Sequence, residues 1–127
     1  MFLLDTNIVL EILLDKQNAD NCCNFITSHQ GFQLFMTDFS YFSINLKLFR
    51  LQKYNVLRSF HEEMIERRVL SIIRLEEKNW ESLIDVSNKF KLDFDDSYQY
   101  VVASEYGLQL VSYDKDFDST PIQRIEP

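Results

Sequence analysis

The chain has 127 residues, 46% of them hydrophobic and 26% charged, which suits one compact domain with its own core and is too short for two. A single domain over 1–127 is therefore expected. Two glycines (Gly31, Gly107) and two prolines (Pro121, Pro127) leave no place for a Gly-rich phosphate loop or a nucleophile elbow, which excludes P-loop NTPases, Rossmann dehydrogenases and α/β-hydrolases. The net charge of −7 argues against a surface that grips nucleic acid everywhere by counterion release, but it leaves room for a local grip.

In chain order, the apolar run at 2–4 reads as a strand that ends at Asp5, with Asn7 as N-cap of a helix carrying Ile8, Leu10, Ile12 and Leu13. A second helix is expected over 18–28, closed by Gly31, followed by a strand at 33–36. Thr37 and Asp38 offer caps for a long helix over 39–53, on which Phe42, Leu46 and Phe49 form one stripe. Further helix follows at 55–68, then a β-rich stretch at 69–73 and a helix over 76–90 around Trp80, Leu83, Ile84 and Val86. Asp95 is the expected cap of a helix ending at Tyr106, with Gly107 at C′, before a strand at 108–111 and a last short one at 122–125. Strands separated by helices imply a parallel sheet of about four to five strands covered on both faces, a three-layer α/β/α fold.

No apolar run approaches the roughly 20 residues a membrane helix needs, and Asp5 precedes any positive charge, so neither a membrane span nor a secretory signal is expected. The expected location is cytoplasmic. Cys22 and Cys23 are adjacent, where a disulfide is strained, and a reduced pair is expected.

Charge is segregated along the chain. Residues 44–74 hold seven basic and three acidic side chains, whereas residues 93–118 hold seven acids against Lys115. In open parallel sheets the working site lies beyond the carboxyl ends of the strands. Asp5 follows the first strand, Asp114 and Asp116 follow the fourth, and Asp95 and Asp96 open the helix feeding it. Carboxylates converging there raise one another's pKa, and a divalent cation with oxygen preference, Mg²⁺ or Mn²⁺, relieves the repulsion. Such an ion acidifies water and neutralises phosphate charge, so isolated His29 and His61 need no catalytic part. The plainer reading is a macrodipole partner at Asp95 and Asp96 and a solvated turn at 114–118.

The residues resemble the PIN domains, a family that includes toxin ribonucleases of bacterial toxin–antitoxin pairs. Leu3-Leu4-Asp5-Thr6-Asn7 is similar to the family's first signature, Asp93-Phe94-Asp95-Asp96-Ser97 to its third, and Ser112-Tyr113-Asp114-Lys115-Asp116-Phe117 to its last. The resemblance implies a PIN-like fold and a metal-dependent endoribonuclease acting on single-stranded RNA through a metal-activated water. It assigns Asp5, Asp96 and Asp114 as ligands of Mg²⁺ or Mn²⁺ with Asp116 beside them, and Thr6, Asn7 and Ser112 as groups that orient them. It also implies a homodimer and, for a toxin, a small antitoxin inserting a segment into the acidic groove. One departure stands out. Where the family places a glutamate early in the third helix, this chain has Ser43, and no acid lies between Asp38 and Glu62. That favours a rival in which a catalytically weak PIN fold binds RNA or a protein. A haloacid-dehalogenase-type phosphohydrolase is a second rival, but Asn7 occupies the place of its acid/base aspartate. Lys47, Arg50, Lys53 and Arg58, interleaved with Phe49 and Tyr54, read either as an RNA-guiding strip or as a solvated or dimer face. Tyr98 and Tyr100 read either as core or as contacts to a base.

Overall fold

A computed structural model describes residues 1–29 and 33–127. Four short parallel strands, β1 (Phe2–Leu4), β2 (Leu34–Thr37), β3 (Ser71–Ile73) and β4 (Gln109–Val111), form one sheet in the order β3-β2-β1-β4. Between β1 and β2 run α1 (Thr6–Leu13) and α2 (Ala19–Ser28); between β2 and β3 run α3 (Asp38–Arg50) and α4 (Tyr54–Phe60). The crossover from β3 to β4 contains α5 (Trp80–Phe90) and α6 (Phe94–Tyr106).

Period-two alternation sends neighbouring strand residues into two cores. Leu4, Leu34, Met36 and Val111 pack with Ile8, Val9, Cys22, Ile26, Ile44, Leu48 and Phe60, which places α1 to α4 on one face. Leu3 and Leu110 pack with Leu83, Tyr98, Val101, Val102, Ala103 and Phe117, which places α5 and α6 on the other. The three-layer α/β/α expectation is met. β1 pairs Phe2, Leu3 and Leu4 with Gln109, Leu110 and Val111, and it pairs Phe2 and Leu3 with Leu34 and Phe35 on its other edge. The chain moves outward from β1 through β2 to β3 and then returns past β1 to β4, so the connection direction reverses at β1 and β4, where open α/β sheets place their ligands.

Several boundaries differ from the sequence expectation for identifiable reasons. Asp5, not Asn7, occupies the cap position of α1, and it makes no capping bond because its carboxylate is engaged elsewhere. Asp93, not Asp95, caps α6 by accepting from Asp96 N–H at 3.0 Å. The helix expected over 55–68 is α-helical only to Phe60 and continues as a π-helical segment, His61–Glu66. The helix expected from residue 76 begins as a 3₁₀ turn, Glu77–Asn79. The strand expected at 122–125 is reduced to one bridge, Ile125 beside Val111, so the sheet has four strands among the described residues. Gly107 takes φ +62 at the end of α6, the left-handed conformation a C-terminal glycine supplies. Gly31 lies outside the described residues. Cys22 is buried and Cys23 exposed, both as free thiols.

Candidate metal centre

Because β1 and β4 are neighbours, the residues just past their carboxyl ends meet, and the first turn of α6 covers them. Carboxylate oxygens of Asp96, Asp114 and Asp116 all lie within 4.8 Å of one another. Each acid is held by local backbone chemistry. The Asp93 cap fixes Asp96 at the third position of α6. Asp114 donates its N–H to Ser112 Oγ at 2.9 Å and accepts from Asp116 N–H at 2.8 Å, capping the 3₁₀ turn Lys115–Ser119. Phe117, wholly buried, anchors that turn in the core beneath α6.

Asp5 sits beside this cluster and is saturated with donors. Its Oδ1 accepts from Gln99 Nε2 at 2.7 Å, and its Oδ2 accepts from Asn7 Nδ2 and from the Ser112 hydroxyl. Asn7 also reaches Ser112 Oγ at 3.2 Å, so its amide ties the end of β1 to the end of β4. Asp96 is the opposite case. It is 7% exposed, yet its carboxylate accepts no hydrogen bond among the described residues.

The electrostatics follow from this geometry. Burial, reinforced by Asp93, Asp114, Asp5 and Asp116, pushes the Asp96 carboxyl up to about 7. Burial also raises Asp5, against the lowering pull of its bonds to Ser112 and Gln99. Asp95 is raised by burial and then by Asp93 and Asp5. A largely desolvated aspartate without a donor, facing two more carboxylates, is stabilised when a cation joins it. The donor set is oxygen only, which suits a hard divalent ion such as Mg²⁺ or Mn²⁺ rather than zinc. The residues present fit such an ion.

Other expected site residues are placed differently. Thr6 turns toward α3, donating its hydroxyl to Ser40 Oγ at 2.9 Å, and Thr37 Oγ1 donates to the same atom at 2.9 Å. Ser43 lies one turn further along α3, half-buried, and makes no hydrogen bond among the described residues. The acid α3 does carry in its first turn, Asp38, is bound to the Tyr98 hydroxyl at 2.8 Å. Lys47, Arg50, Lys53 and Arg58 are exposed near the far end of α3 and on α4. The carboxylates lie at the other end of α3, a helix about 20 Å long, so the structure does not gather these cations with the acids. Tyr98 is buried with its hydroxyl committed to Asp38 and Leu75 N–H, and Tyr100 packs on Phe90.

Sequence reasoning passed over Gln99, Ser40 and Asp93. Gln99 carried a signal: it is three residues after Asp96 on one helix face, a polar residue in a helix otherwise expected to bury that side. Its Oε1 is buried without a hydrogen-bond partner among the described residues, while its Nε2 holds Asp5.

The comparisons with known proteins bear on the fold. The chain matches the toxin–antitoxin complex from Klebsiella pneumoniae at 17% identity and TM-score 0.74, over 98% of this chain and 100% of that one. It matches VapBC2 from Rickettsia felis, solved with a promoter DNA fragment, at 15% identity and TM-score 0.76, over 99% and 96%. It matches Mycobacterium tuberculosis VapC20, described as a sarcin–ricin loop cleaving toxin, at 11% identity and TM-score 0.79, over the whole of both chains. At these identities the likeness is one of fold. No curated protein matches the chain significantly by sequence. The PIN domain family model matches residues 2–123, nearly the whole chain, and with the strand-end acids in place the chain belongs to the PIN domain family.

Proposed function

We propose that this PIN domain is an Mg²⁺- or Mn²⁺-dependent endoribonuclease that hydrolyses phosphodiester bonds of single-stranded RNA. The observation that carries the reading is the convergence of the Asp96, Asp114 and Asp116 carboxylates within 4.8 Å of one another at the β1–β4 switch point, with no hydrogen-bond donor on Asp96 among the described residues. Asp96, Asp114 and Asp116 would hold the ion, with Asp5 adjacent. When bound, the ion supplies charge neutralisation for the phosphodiester and a lowered pKa for water. Gln99, Asn7 and Ser112 fix the Asp5 carboxylate so that its orientation does not depend on solvent. The Asp114–Asp116 turn, pinned by Phe117, keeps the acids in place while substrate enters from the open side.

Two partners go with this reading. Leu46, Phe49 and Leu51 expose large apolar surface on the outer side of α3 and just beyond it, and a second copy of the chain is the proposed cover. A cleft of about 370 Å³ between α1 and α4, lined by Val9, Ile12, Leu13, Val56, Phe60 and Met64, suits an apolar helix of an antitoxin. Solved neighbours include toxin–antitoxin complexes, which supports such a partner here.

The test is calorimetric titration of Mn²⁺ and Mg²⁺ into the pure protein, with Asp114→Asn as control, followed by an RNA cleavage screen. Binding in the micromolar to millimolar range that the control loses, together with cleavage, upholds the reading. Absence of ion binding both with and without RNA overturns it and leaves a PIN fold used for binding alone. Ser43 favours that second reading, because α3 brings no acid to the cluster.

A further inference from the structure

The carboxyl edge of the sheet holds a second concavity, next to the acidic centre and chemically unlike it. Past β2 and β3 a cavity of about 320 Å³ is lined by Asp38, Phe39, Phe42, Trp80, Phe94 and Tyr98, with Arg74 on its rim. Its volume is at the small end of ligand sites, which run from about 300 to 1,000 Å³. Three of its rings are unusually open, Phe42 at 66%, Trp80 at 47% and Phe94 at 43% exposed, although burial is the ordinary fate of such side chains. Phe94 is held edge-on by Phe39, with ring centres 5.3 Å apart. It sits in the same first turn of α6 as Asp96.

Two carboxylates line this cavity, Glu77, which is paired with Arg74, and Asp38, which is oriented by the fold. Asp38 Oδ1 accepts from Phe39 N–H and from the Tyr98 hydroxyl, both at 2.8 Å, and that hydroxyl in turn accepts from Leu75 N–H at 2.9 Å. Oδ2 accepts nothing among the described residues. The cavity therefore combines aromatic faces with one fixed, unused, acceptor-only oxygen. β2 is the sheet neighbour of β1, so the cavity flanks the strand end that carries Asp5.

We propose that this cavity is a nucleobase subsite that takes a guanine from the single-stranded RNA whose backbone lies over the acidic centre. The choice of ligand rests on the nuclease reading above. Flat π-faces are bound by exposed rings whatever the base, so Trp80 and Phe94 supply affinity. Selection comes from Asp38. Guanine alone among the four bases places two adjacent N–H donors, N1–H and N2–H, on its Watson–Crick edge for the free Oδ2 to accept from, whereas adenine and cytosine set a ring-nitrogen acceptor, which a carboxylate repels, beside their amino group. Uracil presents carbonyl oxygens on both sides of N3–H, which a carboxylate repels. At the rim, Arg74 is paired with Glu77, so a phosphate next to the seated base shares that guanidinium with the Glu77 carboxylate.

Trp80 is the chain's only tryptophan, so its fluorescence reports the cavity directly. The experiment titrates the full chain with the RNA pentamers UUGUU and UUUUU in EDTA, which keeps ion-held phosphate out of the signal. UUGUU is expected to quench Trp80 saturably at a concentration at least about tenfold below that needed by UUUUU. Asp38→Asn replaces an acceptor with a donor, and Phe94→Leu removes an exposed ring at little risk to folding; each is expected to bring the two curves together. Equal curves in the wild type, no saturable quench, or a guanine preference that survives both substitutions overturns the subsite. Cleavage of the same pentamers with Mn²⁺ is scored separately. A guanine preference without cleavage supports the subsite and overturns the nuclease reading, whereas cleavage without a guanine preference does the reverse.

Discussion

At the β2 side of the sheet's carboxyl edge, Asp38 is satisfied twice on one oxygen, by Phe39 N–H and the Tyr98 hydroxyl, and rings surround it. At the β1–β4 side, Asp5 has three side-chain donors while Asp96, buried beside it, has none and faces Asp114 and Asp116. The difference separates two uses of a carboxylate. One supplied with donors is a finished structural or recognition element, whereas one buried without them is unfinished until a cation arrives. Breaking that contrast tests both halves.

The largest effect is expected from Asp96→Asn. It removes the charge and leaves the shape, so cleavage in Mn²⁺ should fall by at least about a hundredfold, as for other removals of transition-state charge stabilisation. The same substitution should raise the melting temperature in EDTA at pH 8. The sign follows from linkage. Folded Asp96 titrates at about 7 against an ordinary 3.8, so the folded state holds the proton more tightly than the unfolded one. The Asp96 contribution to the stability of the ion-free protein is therefore fully present below about pH 4, declines as pH rises through the window from 3.8 to about 7, and levels off above it. Asp5 and Asp95 are raised as well and act in the same direction. Thermal melts from pH 4 to 8 in EDTA should show the decline, Asp96→Asn should flatten it, and Mn²⁺ should restore stability at the alkaline end. A wild-type profile that Asp96→Asn leaves unchanged in EDTA removes the electrostatic argument for the centre.

Next in size is Gln99→Leu, which keeps the volume and deletes the donor to Asp5. Loss of such an orienting group typically costs 10- to 100-fold in metal affinity or activity, so a drop of about tenfold or more is expected in cleavage. The readout that separates positioning from mere packing is rescue by Gln99→Asn with a partial return of ion affinity. Stability should change little, because the leucine also ends the isolation of the buried Oε1.

Much of this site was legible in the sequence, and the parts that were not share a cause. Asp5, Asp96 and Asp114 were readable because strand ends and helix starts are local features, and a parallel sheet brings local features of distant segments together. The contents of the gaps between them were not. That Asp93 rather than Asp95 caps α6 depends on a two-residue shift within a run of three aspartates, where every candidate satisfies the same local rule. Thr6 was read as facing the acids, but Ser40, 34 residues away, draws its hydroxyl toward α3. Phe42, Leu46 and Phe49 are a proper helical stripe, yet they are exposed, while Ile44 and Leu48 fill the core. Periodicity finds a stripe without saying which of two stripes faces inward.

A smaller effect is expected from Ser43→Glu, which adds an acid one turn beyond Ser40 on α3. Calorimetry should show Mn²⁺ bound several-fold more tightly, with cleavage rising in step. Unchanged affinity would mean that Asp96, Asp114 and Asp116 already complete the coordination the chain uses.

The smallest effect belongs to the other half of the edge. Tyr98→Phe removes the donor to Asp38 and the acceptor for the buried Leu75 N–H while preserving the ring in its core. Leaving that N–H unpaired should cost about 1–3 kcal/mol in denaturant unfolding. Cleavage per folded molecule should stay within a few-fold of wild type, since no bond to the acidic cluster is lost. What should change is discrimination: with Asp38 no longer fixed by the hydroxyl, its carboxylate is free to turn and the preference for UUGUU over UUUUU should shrink. A Tyr98→Phe protein that loses cleavage as severely as Asp96→Asn would show that the two halves are one coupled network. Stability loss with intact cleavage and weakened base preference would show that the carboxyl edge is divided, with chemistry at β1 and β4 and recognition at β2 and β3.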